Sequence, residues 1–259
     1  MISYFGEYLK VAPFSHALWR ATEAEIISGL EIKKPVLDIG CGFGEFGGIF
    51  YKTCVEIGLD KSKKDLDIAK NRGVYEKLVF ADAVELPLEN NTFSTCVSVS
   101  TLEHINGADK VIKEVHRVLK NDGVFIFTVP TKEINNRLWG QKILRKVGLK
   151  KLADKYIKTY HKVFKHETIV TKEQWEKWLQ EAGFKKIQVI NTLSDKHLLA
   201  FETFLITGGS SQILRKITGK RLVWNNPVRT KLMTRLYDLI RDKNANMLNA
   251  SNVVFIAMK

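Results

Sequence analysis

Three glycines at alternate positions, Gly40, Gly42 and Gly44, follow one acid, Asp38, and precede two more, Asp60 and Asp82. Glycine has no Cβ and takes φ > 0 readily, so the segment can turn sharply and let a ligand approach the main chain. Val36, Leu37 and Ile39 ahead of the turn read as a short buried strand. Phe46, Ile49 and Phe50 behind it fall at helical spacing. A strand, a glycine turn and a helix start make the layout of a nucleotide-binding crevice. Asp60 closes a second strand 20 residues after Gly40, where a carboxylate can accept from both hydroxyls of a ribose. Asp82, followed by Ala83, closes a third strand over Leu78–Ala81.

The elements that position these residues alternate between strand and helix. Residues 14–30 read as an N-terminal helix with Ser15 as its N-cap. Ser62 caps a helix bearing Leu66, Ile68 and Ala69, and Gly73 ends it. Phe93–Val99 is a fourth strand, with Ser98 and Ser100 at its end and Glu103 and His104 beyond. Asn106 is predicted to cap a helix whose core face holds Val111, Ile112, Val115, Val118 and Leu119. Asn121-Asp122-Gly123 turns into a fifth strand, Val124–Val129, closed by Pro130, which has no N–H to donate. Thr171 and Gln174 form a capping box for a helix carrying Trp175, Trp178, Leu179 and Ala182. Ile187–Ile190 and Asn252–Met258 read as the last two strands.

In this order the motifs resemble the class I S-adenosylmethionine-dependent methyltransferases. The resemblance rests on Asp38 with Gly40-x-Gly42-x-Gly44, Asp60, Asp82-Ala83, Leu102-Glu103-His104-Ile105, and His116 to Gly123 before the fifth strand, and it covers roughly residues 13–192 and the last strand. It implies an α/β fold: a seven-stranded, mostly parallel Rossmann-like sheet with an antiparallel last strand. The resemblance further implies S-adenosyl-L-methionine as cofactor. The backbone of Gly40, Cys41, Gly42 and Gly44 would pack on the methionine part, with Asp38 orienting that loop. Asp60 would take the ribose, with Lys61 beside it; Asp82 and Ala83 would take the adenine; Ser98 and Ser100 would line the sulfonium side. His104 would serve as general base or acceptor-orienting group, with Glu103 as its neighbouring candidate and His166 as a third catalytic candidate. A histidine's ordinary pKa suits that work. No metal is required, because holding nucleophile, methyl and sulfur in line supplies most of the acceleration.

Other readings explain less. An NAD-binding Rossmann domain accounts for Gly40, Gly42 and Asp60, but not for Asp82, the Leu-Glu-His sequence or a strand placed after the sixth. The fourth strand ends Val97-Ser98-Val99-Ser100-Thr101. It lacks the Asn/Asp-Pro-Pro-aromatic sequence of exocyclic-amine nucleic-acid methyltransferases and the Pro-Cys of pyrimidine C5 enzymes. A small-molecule or lipid- or glycan-linked acceptor is therefore favoured, with an RNA methyltransferase or a non-catalytic scaffold as alternatives. Cys41, Cys54 and Cys96 have no metal-like spacing and read as reduced thiols of a cytoplasmic protein. No run of 18 apolar residues occurs, and Met1–Lys10 has no signal-like apolar stretch.

Charge is unevenly spread. Residues 1–130 hold 15 Lys and Arg against 18 Asp and Glu, a net of −3, whereas residues 131–259 hold 26 against 10, a net of +16. The excess points to an anionic partner of the second half. The organisation expected is one domain over 1–259: a single entry helix in 1–30, a cofactor-binding half 31–130, a helical insertion 131–170, the end of the core in 171–193 and 252–259, and a second helical insertion 194–251. Leu149, Leu152, Ala153, Tyr156, Ile157, Tyr160, Val163 and Phe164 form the apolar stripe of the first insertion. Ile213, Leu214 and Ile217, then Val228, Leu232, Leu236, Leu239 and Ile240, form that of the second. Either the stripes bury in a lid, or part of them meets a membrane surface whose anionic headgroups face the lysines.

Overall fold

The computed structural model describes residues 3–205, 226–241 and 251–259. The chain divides into two compact units: Met1–Ile26, Glu133–Tyr160 and Asn191–Ser251 form one, and Ile27–Lys132, His161–Ile190 and Asn252–Lys259 the other.

The second of these is built on a seven-stranded sheet. Its strands are β1 (Val36–Ile39), β2 (Val55–Asp60), β3 (Tyr75–Phe80), β4 (Phe93–Val99), β5 (Leu119–Pro130), β6 (Lys186–Asn191) and β7 (Asn252–Met258). They lie in the order β3-β2-β1-β4-β5-β7-β6. The pairs β1–β2, β1–β4, β2–β3 and β4–β5 are parallel, and β7 runs antiparallel to β5. This is the α/β fold expected from the sequence. Chain order reverses between β1 and β4, so the loops leaving their carboxyl ends diverge and open a crevice there. Ser62 caps the helix Lys63–Lys70, accepting from Asp65 N, and Thr171 caps Lys172–Ala182, accepting from Gln174 N. Helix Ala108–Val118 lays Val111, Ile112, Val115 and Val118 into a core shared with Phe125, Phe127, Trp175, Leu179 and Phe255.

Several boundaries differ from the sequence reading, each for a local reason. Helix Ala108–Val118 is preceded by Gly107 at φ +93, a left-handed position glycine takes without strain, so Asn106 is not its cap. The third strand stops at Phe80, two residues short of Asp82. The fifth begins at Leu119, because Asn121-Asp122-Gly123 is absorbed as a bulge: Phe93 pairs Leu119, but Thr95 already pairs Val124.

The other unit is helical. It holds Tyr4–Val11, unforeseen from the sequence, then Phe14–Ile27, Ile134–Arg137, Trp139–Lys146, most of Lys150–Phe164, residues 195–205, and Pro227–Ile240. The helix at Phe14 starts directly after Pro13, whose carbonyl accepts from Ala17 N at 2.9 Å, so Ser15 is buried in its first turn and is not its cap. Three sequence-distant segments are tied together here. Phe5 stacks on Tyr237 at 4.2 Å between ring centroids, Trp19 meets Phe201, and Phe14 meets Phe204. Glu202 accepts from the main-chain amides of Trp139 and Gly140 at the start of their helix, where a negative charge offsets the helix dipole, and from the Tyr156 hydroxyl. Arg137 pairs with Asp195 at 2.9 Å.

The two apolar stripes bury only in part. Ala153 and Tyr160 are buried, but Leu149 is 51% exposed, Leu152 49% and Val163 67%. In Pro227–Ile240 the buried residues are Tyr237 and Ile240, while Val228, Leu232 and Leu239 are exposed. Ile213, Leu214 and Ile217 lie outside the described residues.

Trp175 is fully buried against Phe127 and Trp178. We expect Trp175→Ala to cost about 3–5 kcal/mol of stability through the cavity it leaves. Urea unfolding checks this, and a loss under about 1 kcal/mol would mean the core closes over the gap.

Candidate functional site

The glycine turn sits at the carboxyl end of β1. Gly40 and Gly42 have φ of +71° and +54°, values that side-chain-bearing residues rarely adopt. Gly40 N and Cys41 N both donate to Leu59 O, at 2.8 and 3.0 Å, which ties the turn to β2. The turn also abuts the chain leaving β4. A Cβ on Gly40 would lie 2.1 Å from Thr101 Cγ2, and Thr101 Oγ1 donates to Gly40 O at 3.3 Å. A Cβ on Gly42, by contrast, would meet nothing within 4 Å. The first glycine admits a neighbouring loop, and the second leaves open space beside the main chain.

Asp60 holds the turn from below. Its Oδ2 accepts from Gly42 N and its Oδ1 from Ser62 N, each at 2.8 Å. Burial raises its pKa, and the two amides act against that. Lys61 beside it is exposed. Asp38 is buried, and its Oδ2 accepts from the Tyr75 hydroxyl at 2.7 Å. Burial pushes its pKa from 3.8 up to about 7; the Tyr75 bond acts in the other direction, and the Asp60 charge adds to the rise. Tyr75 itself stays protonated, because burial and the adjacent carboxyl drive its pKa upward. Its ring is wedged between two glycines: a Cβ on Gly47 would meet its hydroxyl at 2.3 Å, and one on Gly58 its ring at 2.7 Å. The sequence reading missed Tyr75, although a glycine inside a strand, Gly58, is the signal that something packs closely there.

The remaining cofactor candidates are distributed unequally. The Cys41 thiol is buried, and burial together with the Asp38 and Asp60 charges pushes its pKa up, so it is no thiolate nucleophile. Asp82 is exposed and accepts from Val84 N at 3.1 Å, while Ala83 is buried. Ser98 is fully buried and donates to Ile39 O at 3.0 Å, so it joins β4 to β1 and lines no open space. Ser100 holds φ +46, and its N–H donates to Thr128 Oγ1 at 2.9 Å. A non-glycine residue kept in that region costs of order 1–3 kcal/mol, and such strain clusters at functional sites.

Beyond Thr101 the chain makes a single 3-10 turn, Leu102–His104. His104 Nδ1 lies 3.0 Å from Lys165 O. A carbonyl only accepts, so Nδ1 carries the proton and the neutral ring keeps its lone pair on Nε2. Glu103 is buried, with Oε1 3.8 Å from that Nε2. The His166 ring lies tilted against that of His104 at 5.6 Å between centroids, and its Nδ1 is 3.0 Å from His161 Nδ1. Burial, then the neighbouring His104 and His161, push the pKa of His166 down to about 3, so it is neutral at physiological pH. The three catalytic candidates thus stand together. His161, which no sequence motif singles out, joins them because the segment after Phe164 turns back at Lys165, at φ +54. A surface depression of about 530 Å³, lined by Asn106, Asp109, Lys110, Thr168 and Trp178 among others, adjoins this turn through Glu167, whose N–H donates to Glu103 O at 2.8 Å.

Comparison with known proteins agrees with the fold. The family described as a methyltransferase domain matches residues 37–127, from within β1 to within β5. An uncharacterized protein of Methanocaldococcus jannaschii is 36% identical over 191 residues, covering 69% of this chain and 73% of that one. A ubiquinone biosynthesis O-methyltransferase of Pelagibacter ubique is 26% identical over 205 residues, 74% of this chain and 78% of its own. Among solved structures, an S-adenosylmethionine-dependent methyltransferase of Thermotoga maritima, a possible histamine N-methyltransferase, shares the fold with a TM-score of 0.61 at 20% identity, over 95% of this chain and 91% of that one. With the glycine turn, the acid within β1, the acid that ends β2 and the sheet order in place, the chain belongs to the class I S-adenosylmethionine-dependent methyltransferases.

Proposed function

We propose that this enzyme methylates a small-molecule or lipid- or glycan-linked acceptor of anionic character. In this reading Asp38, the Gly40–Gly44 turn, Asp60, Lys61, Asp82 and Ala83 hold the cofactor, and His104, supported by Glu103 and His166, handles the acceptor's proton. The observation that carries the reading is the close approach of Gly40 and Thr101 at the switch point. It sets the glycine turn beside the 3-10 turn of His104, whose N–H donates to Thr101 O at 2.9 Å.

The residues fit the cofactor. Open space at Gly42 leaves room for its methionine part. Each Asp60 oxygen accepts one amide and retains capacity for a ribose hydroxyl. Asp38 offers a carboxyl whose ionised form a nearby ammonium stabilises. When bound, S-adenosylmethionine supplies an electrophilic methyl carbon: the acceptor's lone pair forms the new bond, the S–CH3 bond breaks, and its electron pair returns to sulfur. A neutral acceptor bearing O–H or N–H must then lose a proton. Nε2 of His104 takes it, Glu103 stabilises the resulting imidazolium, and neutral His166 keeps a second positive charge away from it. Ser98 serves as a strand tie in this scheme, and Ser100 shapes the β4 end. The +16 charge of residues 131–259 suits an anionic acceptor.

Incubation with methyl-labelled cofactor and a fractionated cell extract tests the reading. Label should enter a nuclease-resistant, low-molecular-weight or solvent-extractable fraction, and label in RNA would overturn it. His104→Ala should reduce labelling by about 10²- to 10⁴-fold while leaving the affinity for S-adenosylhomocysteine unchanged.

Two further outcomes concern the cofactor acids. Asp60→Ala should weaken S-adenosylhomocysteine binding by about 1–3 kcal/mol in calorimetric titration, because the ribose hydroxyls lose an ionised acceptor. Unchanged affinity in the folded fraction would leave Asp60 only its part in holding the loop. For Asp38, the fold holds a proton up to about pH 7 that the unfolded chain releases near 3.8. The folded state therefore binds more protons across that window, and stability falls as pH rises through it. Asp38→Asn keeps an acceptor for Tyr75 and removes the ionisation. The fall in melting temperature between about pH 5 and about pH 8 should shrink in this variant, and its affinity for S-adenosylhomocysteine should drop. An unaltered pH slope would show that Asp38 is not the group responsible.

A further inference from the structure

The connection between helices Trp139–Lys146 and Lys150–Phe164 consists of Val147, Gly148 and Leu149, with Gly148 at φ +83. Every residue from Arg145 to Leu152 is exposed, and so is Ile143. Four large apolar side chains crowd into this short stretch: Ile143 is 55% exposed, Val147 63%, Leu149 51% and Leu152 49%. Isolated exposed apolar residues are ordinary, but four on one tip need a reason.

The charges around them are as unusual. Residues 140–165 hold nine Lys and Arg and a single acid, Asp154. That acid is taken by Arg145 at 2.7 Å. Lys142 lies 3.4 Å from Asp195. Lys146, Lys150, Lys151 and Lys155 make no ion pair with any described residue. Lys150 and Lys151 also open their helix, whose first turn contains no acid. Cations at a helix N-terminus oppose its dipole, so the arrangement is unfavourable until an anion meets it.

We propose that this tip docks on an anionic lipid bilayer, with Val147, Leu149, Leu152 and Ile143 entering the headgroup boundary and the four lysines meeting lipid phosphates. The combination of apolar centre and cationic rim selects this occupant. A nucleic acid would satisfy the lysines and leave the apolar side chains in water. A second copy of the chain meeting the tip symmetrically would bring lysine against lysine. A bilayer interface satisfies both sets at once. No described helix is long and apolar enough to cross a membrane, so the contact is one of surface docking.

Co-sedimentation of the full chain with phosphatidylcholine vesicles, with and without phosphatidylglycerol, tests the proposal. We expect partition to the phosphatidylglycerol vesicles at low salt and a fall of roughly tenfold or more at high salt, as screening requires. The triple variant Lys146→Glu, Lys150→Glu, Lys151→Glu should lose binding by about a hundredfold or more, since each lysine near such a surface contributes strongly. The triple variant Val147→Ser, Leu149→Ser, Leu152→Ser should lose roughly tenfold or more while keeping its lysines. All six positions are exposed. Circular dichroism and the affinity for S-adenosylhomocysteine should therefore match the parent, which separates this test from that of the methyl-transfer reading. No sedimentation with anionic vesicles, equal sedimentation with neutral ones, or parental binding by both variants would overturn it. So would a concentration-dependent dimer abolished by the serine variant, since the tip would then be an interface between copies.

Discussion

The carboxylate of Asp60 holds two loops at once, and the site depends on that. One oxygen takes the amide of Gly42 and the other that of Ser62. Hydrogen bonds to an ionised acceptor are stronger than neutral ones, and two from main chain place the acid without relying on a flexible partner. The glycine turn, the end of β2 and the cap of the next helix thereby share one anchor. Because the same oxygens keep further accepting capacity, the anchor of the loop is also its most suitable point for a ligand hydroxyl.

Asp38 shows the opposite balance. It stands in the middle of a parallel sheet, paired in register with Gly58 and Val97, where ionisation is costly. The Tyr75 hydroxyl supplies one hydrogen bond at 2.7 Å. The result is a carboxyl poised near neutrality in place of one firmly ionised. A group tuned in this way by burial beside a crevice is a recurrent mark of a functional position. The glycines at 47 and 58 are part of the same device, since they make the space that the Tyr75 ring fills.

The helical unit follows different physics. Its internal ties are buried aromatic contacts and a carboxylate, Glu202, that serves a helix start and a tyrosine together. Its surface retains apolar side chains among lysines, most densely between residues 143 and 152. An amphipathic helix ordinarily hides such a stripe in its own protein. Here the stripe is wider than the contact available to it, so Ala153 and Tyr160 bury and their neighbours at 149, 152 and 163 do not.

The sequence by itself determined the sheet, the glycine turn and the placement of the acids within β1 and at the end of β2, because each rests on residues close together in the chain. Alternation, glycine spacing and capping residues such as Ser62 and Thr171 act over a few positions and read directly. The tertiary structure alone decided what depends on distant partners. Tyr75 reaches Asp38 across 37 residues, and Glu202 reaches Tyr156 across 46. His161 enters the cluster of His104 and His166 only because a reversal at Lys165 returns the chain. The N-terminal helices, residues 133–160 of the first insertion and the described part of the second gather into one unit through ring contacts and an ion pair that no local pattern encodes. How much of a helix face is buried was likewise beyond periodicity, for a stripe specifies a direction, and only the neighbouring surfaces specify how much of it they cover.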